Sequence, residues 1–278
     1  MRAKDWAIIV AFSVISTALA ASGQTTVLYQ GSTDASPTSR GWLTYQYNPL
    51  ETAPQVTSTT GAGGQTTFDS TSDSATTPDP DDDEEGGWSN YSYNPILETS
   101  SMVNSSFPSM NPATGFSVSW DLAITSESNT STDRAGFDVI VLGSDKKGVE
   151  LGYWGNDVWA QTYNSGFERD GTQDSNIQND DTFDTGPGII DYTLTVLGGN
   201  YTLQANGSTI LTGTTHDYTA SDMLPYTLPN FVFMGDDTSE ASAKAEFSSL
   251  TVSVPEPVTA IGFAAIGAFS LLRRRPRR

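Results

Sequence analysis

Cysteine is absent from the 278 residues, and histidine occurs once, at position 216. The first absence excludes disulfides and thiol nucleophiles, so the fold must rest on a sizeable apolar core. The second excludes metal centres built on several histidines. A Ser-His-Asp triad would have to use His216, yet no Gly-x-Ser-x-Gly elbow is present. The paired-carboxylate strands of sandwich glucanases, Glu-x-Asp-x-x-Glu or Glu-x-Asp-x-Glu, are missing as well.

Basic side chains are scarce. Of 13 Lys+Arg, seven lie in the terminal segments (Arg2, Lys4 and five arginines from Arg273 onward), which leaves 6 in the body. Setting aside Asp5 and Glu256 leaves 31 of the 33 acidic residues there, a net charge of about −25. Such a surface repels nucleic acid and anionic lipid, and it attracts divalent cations.

Long hydrophobic runs are lacking except at the two ends. Arg2 and Lys4 precede an apolar stretch over residues 7–19, and Ala18-Leu19-Ala20 is a small-x-small cleavage site. Residues 1–20 therefore read as a signal peptide. At the other end, residues 258–272 are apolar, and Arg273, Arg274, Arg275, Arg277 and Arg278 follow. Fifteen helical residues span about 22 Å at roughly 1.5 Å each, short of a bilayer core of about 30 Å. Snorkelling arginines extend the reach, and by the positive-inside rule they hold that end in the cytoplasm.

Pro255-Glu256-Pro257 stands directly before this span. The triplet, the single span and the arginine cluster together resemble the PEP-CTERM sorting signal over residues 254–278. The resemblance implies export, transient membrane anchoring through a C-terminal transmembrane helix, and handling by an exosortase-type enzyme. The expected destination is the cell surface or extracellular matrix. The signal residues would be Pro255, Glu256, Pro257, Arg273, Arg274 and Arg275.

Between the ends no helical periodicity appears. Phe116, Val118, Trp120, Leu122 and Ile124 alternate with Ser117, Ser119, Asp121, Ala123 and Thr125, the mark of a strand with one buried face. Residues 137–142 form a nearly continuous apolar strand. Residues 149–154 and 158–163 flank Gly155-Asn156-Asp157 as a hairpin. Residues 192–196, 201–205 and 209–211 form a meander turned by Gly198-Gly199-Asn200 and Asn206-Gly207. Residues 231–234 and 245–254 complete the set. Many short strands with turn residues between them predict an all-β protein, an antiparallel two-sheet jelly-roll sandwich over residues 25–254. Trp120, Phe137, Val139, Val141, Leu194 and Leu203 are its expected core.

The stretches Gly136-Phe137-Asp138-Val139-Ile140-Val141, Gly148-Val149-Glu150-Leu151-Gly152-Tyr153-Trp154 and Tyr201-Thr202-Leu203-Gln204-Ala205-Asn206-Gly207 resemble the concanavalin A-like or laminin G-like group. With the tail, the chain is similar to exported choice-of-anchor domains, a likeness that implies no particular activity.

The segments 41–52 and 87–99 echo each other (Gly-Trp, then Tyr-x-Tyr-Asn-Pro). Both are expected as edge strands, each with a tryptophan on the core. The acidic loop between them, residues 71–86, contains Asp79-Pro80-Asp81-Asp82-Asp83-Glu84-Glu85. It lacks the spaced oxygens of an EF-hand and reads as a solvated loop. A strand over residues 66–69 is expected before it.

Two constellations remain. Tyr153, Trp154, Trp159 and Tyr163 surround one hairpin and could stack on sugar rings, although core packing is the plainer role. Asp133, with Asp236 or Asp237, could join separate loops around calcium, and Arg134 is expected in an ion pair. The leading expectation is a non-enzymatic, structural or adhesive surface protein in contact with extracellular polysaccharide. The alternatives are a carbohydrate-binding, lectin-like module with a calcium-supported site and a glycan-processing enzyme.

Overall fold

The computed structural model describes residues 23–47, 57–61, 64–71, 86–94, 99–162, 168–178, 188–219, 224–238 and 240–256. The signal peptide, residues 258–272, the terminal arginines, Pro257, Tyr163 and the acidic run 79–85 lie outside them. Among the described residues no helix is long and apolar enough to cross a membrane. Gly23–Pro255 forms one compact unit.

The chain begins with β1 (Gly23–Gln30), β2 (Thr44–Tyr47), β3 (Thr57–Thr60), β4 (Thr66–Asp69), β5 (Gly86–Ser89), β6 (Tyr91–Asn94) and β7 (Thr99–Met102). It continues through β8 (Phe116–Asn129), β9 (Asp138–Leu142), β10 (Lys147–Trp154), β11 (Asp157–Gln161) and β12 (Arg169–Asp174). One helical turn, α1 (Ser175–Gln178), leads to β13 (Ile190–Leu197), β14 (Asn200–Ala205), β15 (Ser208–Thr214) and β16 (His216–Asp217). The last strands are β17 (Phe231–Asp236), β18 (Ala241–Phe247) and β19 (Ser249–Pro255).

The strands form two large antiparallel sheets. The first runs β15-β14-β13-β8-β18-β4-β3, with β19 pairing both β8 and β1. The second runs β12-β11-β10-β9-β17-β5-β2, with β16 pairing β10. Strands β6 and β7 make a separate ribbon. The alternating burial of β13 shows one face turned to the core and one to solvent. Trp120, Phe137, Val139, Val141, Leu194 and Leu203 are all buried in the main core, as the alternation predicts. Trp120 stacks on Tyr192 with ring centroids 5.9 Å apart, and Tyr153 meets Tyr192 edge-on at 5.3 Å.

The second sheet is covered on both faces. Val139 and Val141 face the main core, whereas Ile140 and Leu142 join Tyr91, Tyr218, Tyr226, Phe231 and Phe233 in a second cluster. This explains why β9 is buried at every position.

Residues 245–254, expected as one strand, are two. The chain leaves β18 at Phe247 and enters β19 at Ser249. The 14-residue β8 serves both, pairing β19 along 117–120 and β18 along 123–129. Asp121 holds the corner. Its carboxylate accepts from the backbone N–H and hydroxyl of Ser248 and from those of Ser249, the latter pair at 3.1 Å each. The echoed segments also differ from expectation. Strand β2 is an edge, but β5 lies inside the sheet between β17 and β2, with Tyr45 opposite Trp88. Trp88 is in the core and Trp42 packs against it from a partly buried position. The strand expected at 66–69 is β4, and it pairs with an unforeseen β3.

Candidate functional site

Two features lie on the outer face of the second sheet. One row of paired residues crosses it: Gln46, Gly87, Gly235, Asp138, Gly152, Trp159 and Asp174, on β2, β5, β17, β9, β10, β11 and β12. Asp138 therefore has a glycine on each side. A Cβ at Gly152 would stand 2.8 Å from the Trp159 ring, so the indole lies over the position the missing side chain would fill.

Asp138 is the first feature's centre. It is 1% exposed, and neither carboxylate oxygen accepts a hydrogen bond. Glu150, on β10 opposite Ile140, is 0% exposed. Its Oε2 accepts the Tyr226 hydroxyl, while Oε1 has no donor. Asp237 follows β17 and completes the group. One oxygen from each of Asp138, Glu150 and Asp237 lies within 4.8 Å of the others. The Arg134 guanidinium reaches the cluster rim, with Nη2 3.3 Å from Asp237 Oδ1 and Nε donating to Thr238 at 3.1 Å.

Burial dominates the electrostatics. It pushes the Glu150 carboxyl up to about 8, with the Asp237 charge adding to the rise. It also raises Asp138 far above the usual carboxylate range, again helped by Asp237 and Glu150. Burial opposes the charge on Arg134, but Asp237, Asp138 and Glu150 more than compensate and hold it protonated. Tyr218 and Tyr226 stack at 4.9 Å within the covering cluster, and the phenol of Tyr226 is raised by burial and by Glu150.

The calcium trio expected from sequence is thus only partly assembled. Asp237 belongs to the carboxylate group, but Asp133 does not. The loop before β9 brings the Arg134 side chain to Asp237 instead. Asp133 serves through its backbone, its carbonyl accepting from Gln161 at 2.9 Å and its N–H donating to Ser131. Asp236 is fully buried beside the group, with Oδ1 accepting the Thr238 N–H at 3.1 Å. Asp138 and Glu150 were missed. The available signal was one carboxylate in each of two otherwise apolar runs, Phe137-Asp138-Val139 and Val149-Glu150-Leu151.

The second feature is aromatic. Tyr153 and Trp159, expected among the sugar-stacking rings, are fully buried and cannot stack on a soluble ligand. Strand alternation turns Tyr153 into the main core, while Trp159 packs beneath its neighbours on the outer face. Trp154 is partly exposed. Its Nε1 donates to the Arg134 carbonyl at 3.0 Å, and Trp159 meets its ring edge-on at 4.7 Å. The Arg169 guanidinium lies 5.1 Å from the Trp154 ring and 4.6 Å from that of Trp159. Arg169 also pairs with both Asp157 and Asp174. His216 is half-buried in the short β16, and burial lowers its pKa against the pull of Asp170.

No protein-family model matches the sequence, and no curated protein does. Among solved structures, the fold is similar to that of a carbohydrate esterase, vb_24B_21, from the Shiga toxin-encoding bacteriophage phi24B. The TM-score is 0.51 at 9% identity, covering 84% of this chain and 100% of that one. Domain 4 of AbnA, a GH43 extracellular arabinanase from Geobacillus stearothermophilus solved with arabinotriose, gives 0.45 at 11% identity, over 84% of this chain and 93% of that one. At such identities the first likeness speaks for the shared fold, a two-sheet all-β architecture.

Proposed function

We propose that this chain is an exported, non-enzymatic β-sandwich of the concanavalin A/laminin G-like, choice-of-anchor kind that binds extracellular polysaccharide. The observation that carries the reading is Trp154. Its indole is partly exposed and already fixed by Trp159, Arg169 and the Arg134 carbonyl. A ring held in place loses little freedom when a sugar face stacks on it. The fold shared with a protein described as a carbohydrate esterase agrees with a glycan ligand. Against catalysis, Asp138 and Glu150, two members of the carboxylate group, are buried out of reach of a glycan.

Titrating the protein with the host's own exopolysaccharide tests this. Binding should be measurable, and Trp154→Ala should weaken it about tenfold, a loss of roughly 1.4 kcal/mol of stacking. Unaltered binding by a folded Trp154→Ala protein would refute the site. No binding by the parent would return the body to a purely structural role. Release of reducing sugar would favour the enzyme.

The tail belongs to the same proposal. Pro255 closes β19 opposite Gly23, and Glu256 follows it at the surface. A strand that ends at the first residue of the triplet agrees with processing by an exosortase-type enzyme beyond the sandwich. Mass spectrometry of surface material should find a mature chain ending close to Pro257. Recovery of full-length, membrane-embedded protein alone would overturn the sorting reading.

A further inference from the structure

We propose that Asp138, Glu150 and Asp237 bind one divalent cation of calcium's size and oxygen preference, which locks β9, β10 and the end of β17 together. The site is independent of the polysaccharide reading.

A buried carboxylate is tolerated only when donors, a counter-charge or a proton compensate its lost hydration. Asp138 is 1% exposed and neither of its oxygens accepts a hydrogen bond. Its lateral neighbours on both adjacent strands, Gly152 and Gly235, contribute no side chain that could donate. Glu150 Oε1 is likewise buried without a donor, while its Oε2 is oriented by the Tyr226 hydroxyl. One oxygen from each of Asp138, Glu150 and Asp237 lies within 4.8 Å of the others.

Charge and size agree. Three carboxylates against the Arg134 guanidinium leave a formal charge of −2, to which the buried Asp236 adds, and one divalent ion offsets most of it. The three side chains offer up to six oxygens, and calcium takes about 6–8 at about 2.3–2.6 Å. Three oxygens no more than 4.8 Å apart can share a centre at most about 2.8 Å from each, so a small contraction reaches calcium's range. Magnesium, at about 2.0–2.1 Å, would require the strands to close further. Soft metals are disfavoured because the group holds neither sulfur nor imidazole.

The group draws on segments far apart in the chain, so occupancy should stabilise the fold by mass action. The full-length chain, purified in detergent and stripped with EDTA, should bind one terbium ion per molecule. Terbium luminescence should be excited through the neighbouring Tyr226 and Trp159, and calcium should displace it. Saturating calcium should raise the melting temperature by roughly 5–10 °C more than sodium chloride of equal ionic strength. Asp138→Asn and Glu150→Gln should each abolish both signals, while Asp133→Asn and neutralisation of the acidic residues 81–85 should keep them. If a variant fails to fold, the parent's terbium count and its displacement by calcium decide alone. Equal effects of calcium and sodium chloride, or retention of both signals by folded Asp138→Asn, would overturn the site. So would absent terbium binding with an infrared band of a protonated carboxyl that Asp138→Asn removes, which would assign the neutralisation to protons.

Discussion

Replacing Arg169 with methionine should cost about 3–5 kcal/mol of stability, the usual range for stripping one partner from a buried ion pair. Arg169 is the counter-charge shared by two buried aspartates, Asp157 and Asp174. Its side chain is 22% exposed, while those of Asp157 and Asp174 are 2% and 1% exposed. Its Nε donates to Asp174 at 2.6 Å, and Nη2 bridges both carboxylates. Its flat face rests on Trp154 and Trp159. Methionine keeps some of the packing and none of the charge. Asp157 retains the Ser175 hydroxyl at 2.7 Å and the Val158 N–H at 2.9 Å, but neutral donors make up only part of the lost counter-charge. For a body of this size the melting temperature should fall by roughly 6–20 °C. Adding Asp157→Asn and Asp174→Asn should restore most of the loss, because the uncompensated charges are then gone. A fall equivalent to less than about 1 kcal/mol would show that water reaches the pair and that it belongs among weak surface bridges.

Trp120→Ala should cost about 3–5 kcal/mol, by lost burial and by the cavity left behind. Trp120 lies on β8 with Tyr192 opposite on β13 and Leu250 opposite on β19. The strand is paired on both sides there, so the backbone cannot collapse into the space. Tyr192 would lose its stacking partner, and Tyr153 packs against Tyr192 in turn. Leu197→Ala is the matched comparison. Leu197 is 58% exposed on β13, and its loss should change stability by no more than about 0.5 kcal/mol. Denaturant unfolding should show an unchanged slope and a lowered midpoint for Trp120→Ala. Similar midpoints for the two variants would contradict the core assignment.

The strands were legible where one face is buried and the other wet. Residues 116–125 alternate apolar with polar, and β8 begins at Phe116 with that face inward. Turn residues were equally informative. Asn206 adopts φ 49° and Gly207 φ 78° between β14 and β15, a left-handed pair that Asn-Gly accommodates readily. The break at Ser248 was not legible. Residues 245–254 satisfy strand propensity throughout, and the corner depends on Asp121, more than a hundred residues earlier. The candidate site was half legible for a related reason. Asp237 stands in a polar loop and invites a ligand role. Asp138 and Glu150 alternate with apolar neighbours as solvent-facing residues do. Only the tertiary packing buries them, Glu150 against the Tyr226 hydroxyl and Asp138 between Gly152 and Gly235.

By itself the sequence determined the class of protein. Without cysteine, with a single histidine and with apolar residues at a period of two, the chain had to build an antiparallel β core, because period and composition act on neighbouring residues. The tertiary structure alone decided which polar side chains are buried and which of them meet. It placed Tyr153 and Trp159 in the interior and left Trp154 at the surface. It sent Arg134 rather than Asp133 to Asp237, and it set a buried Asp138 between two glycines. Burial and charge compensation are properties of segments distant in the chain, and no local pattern carries them.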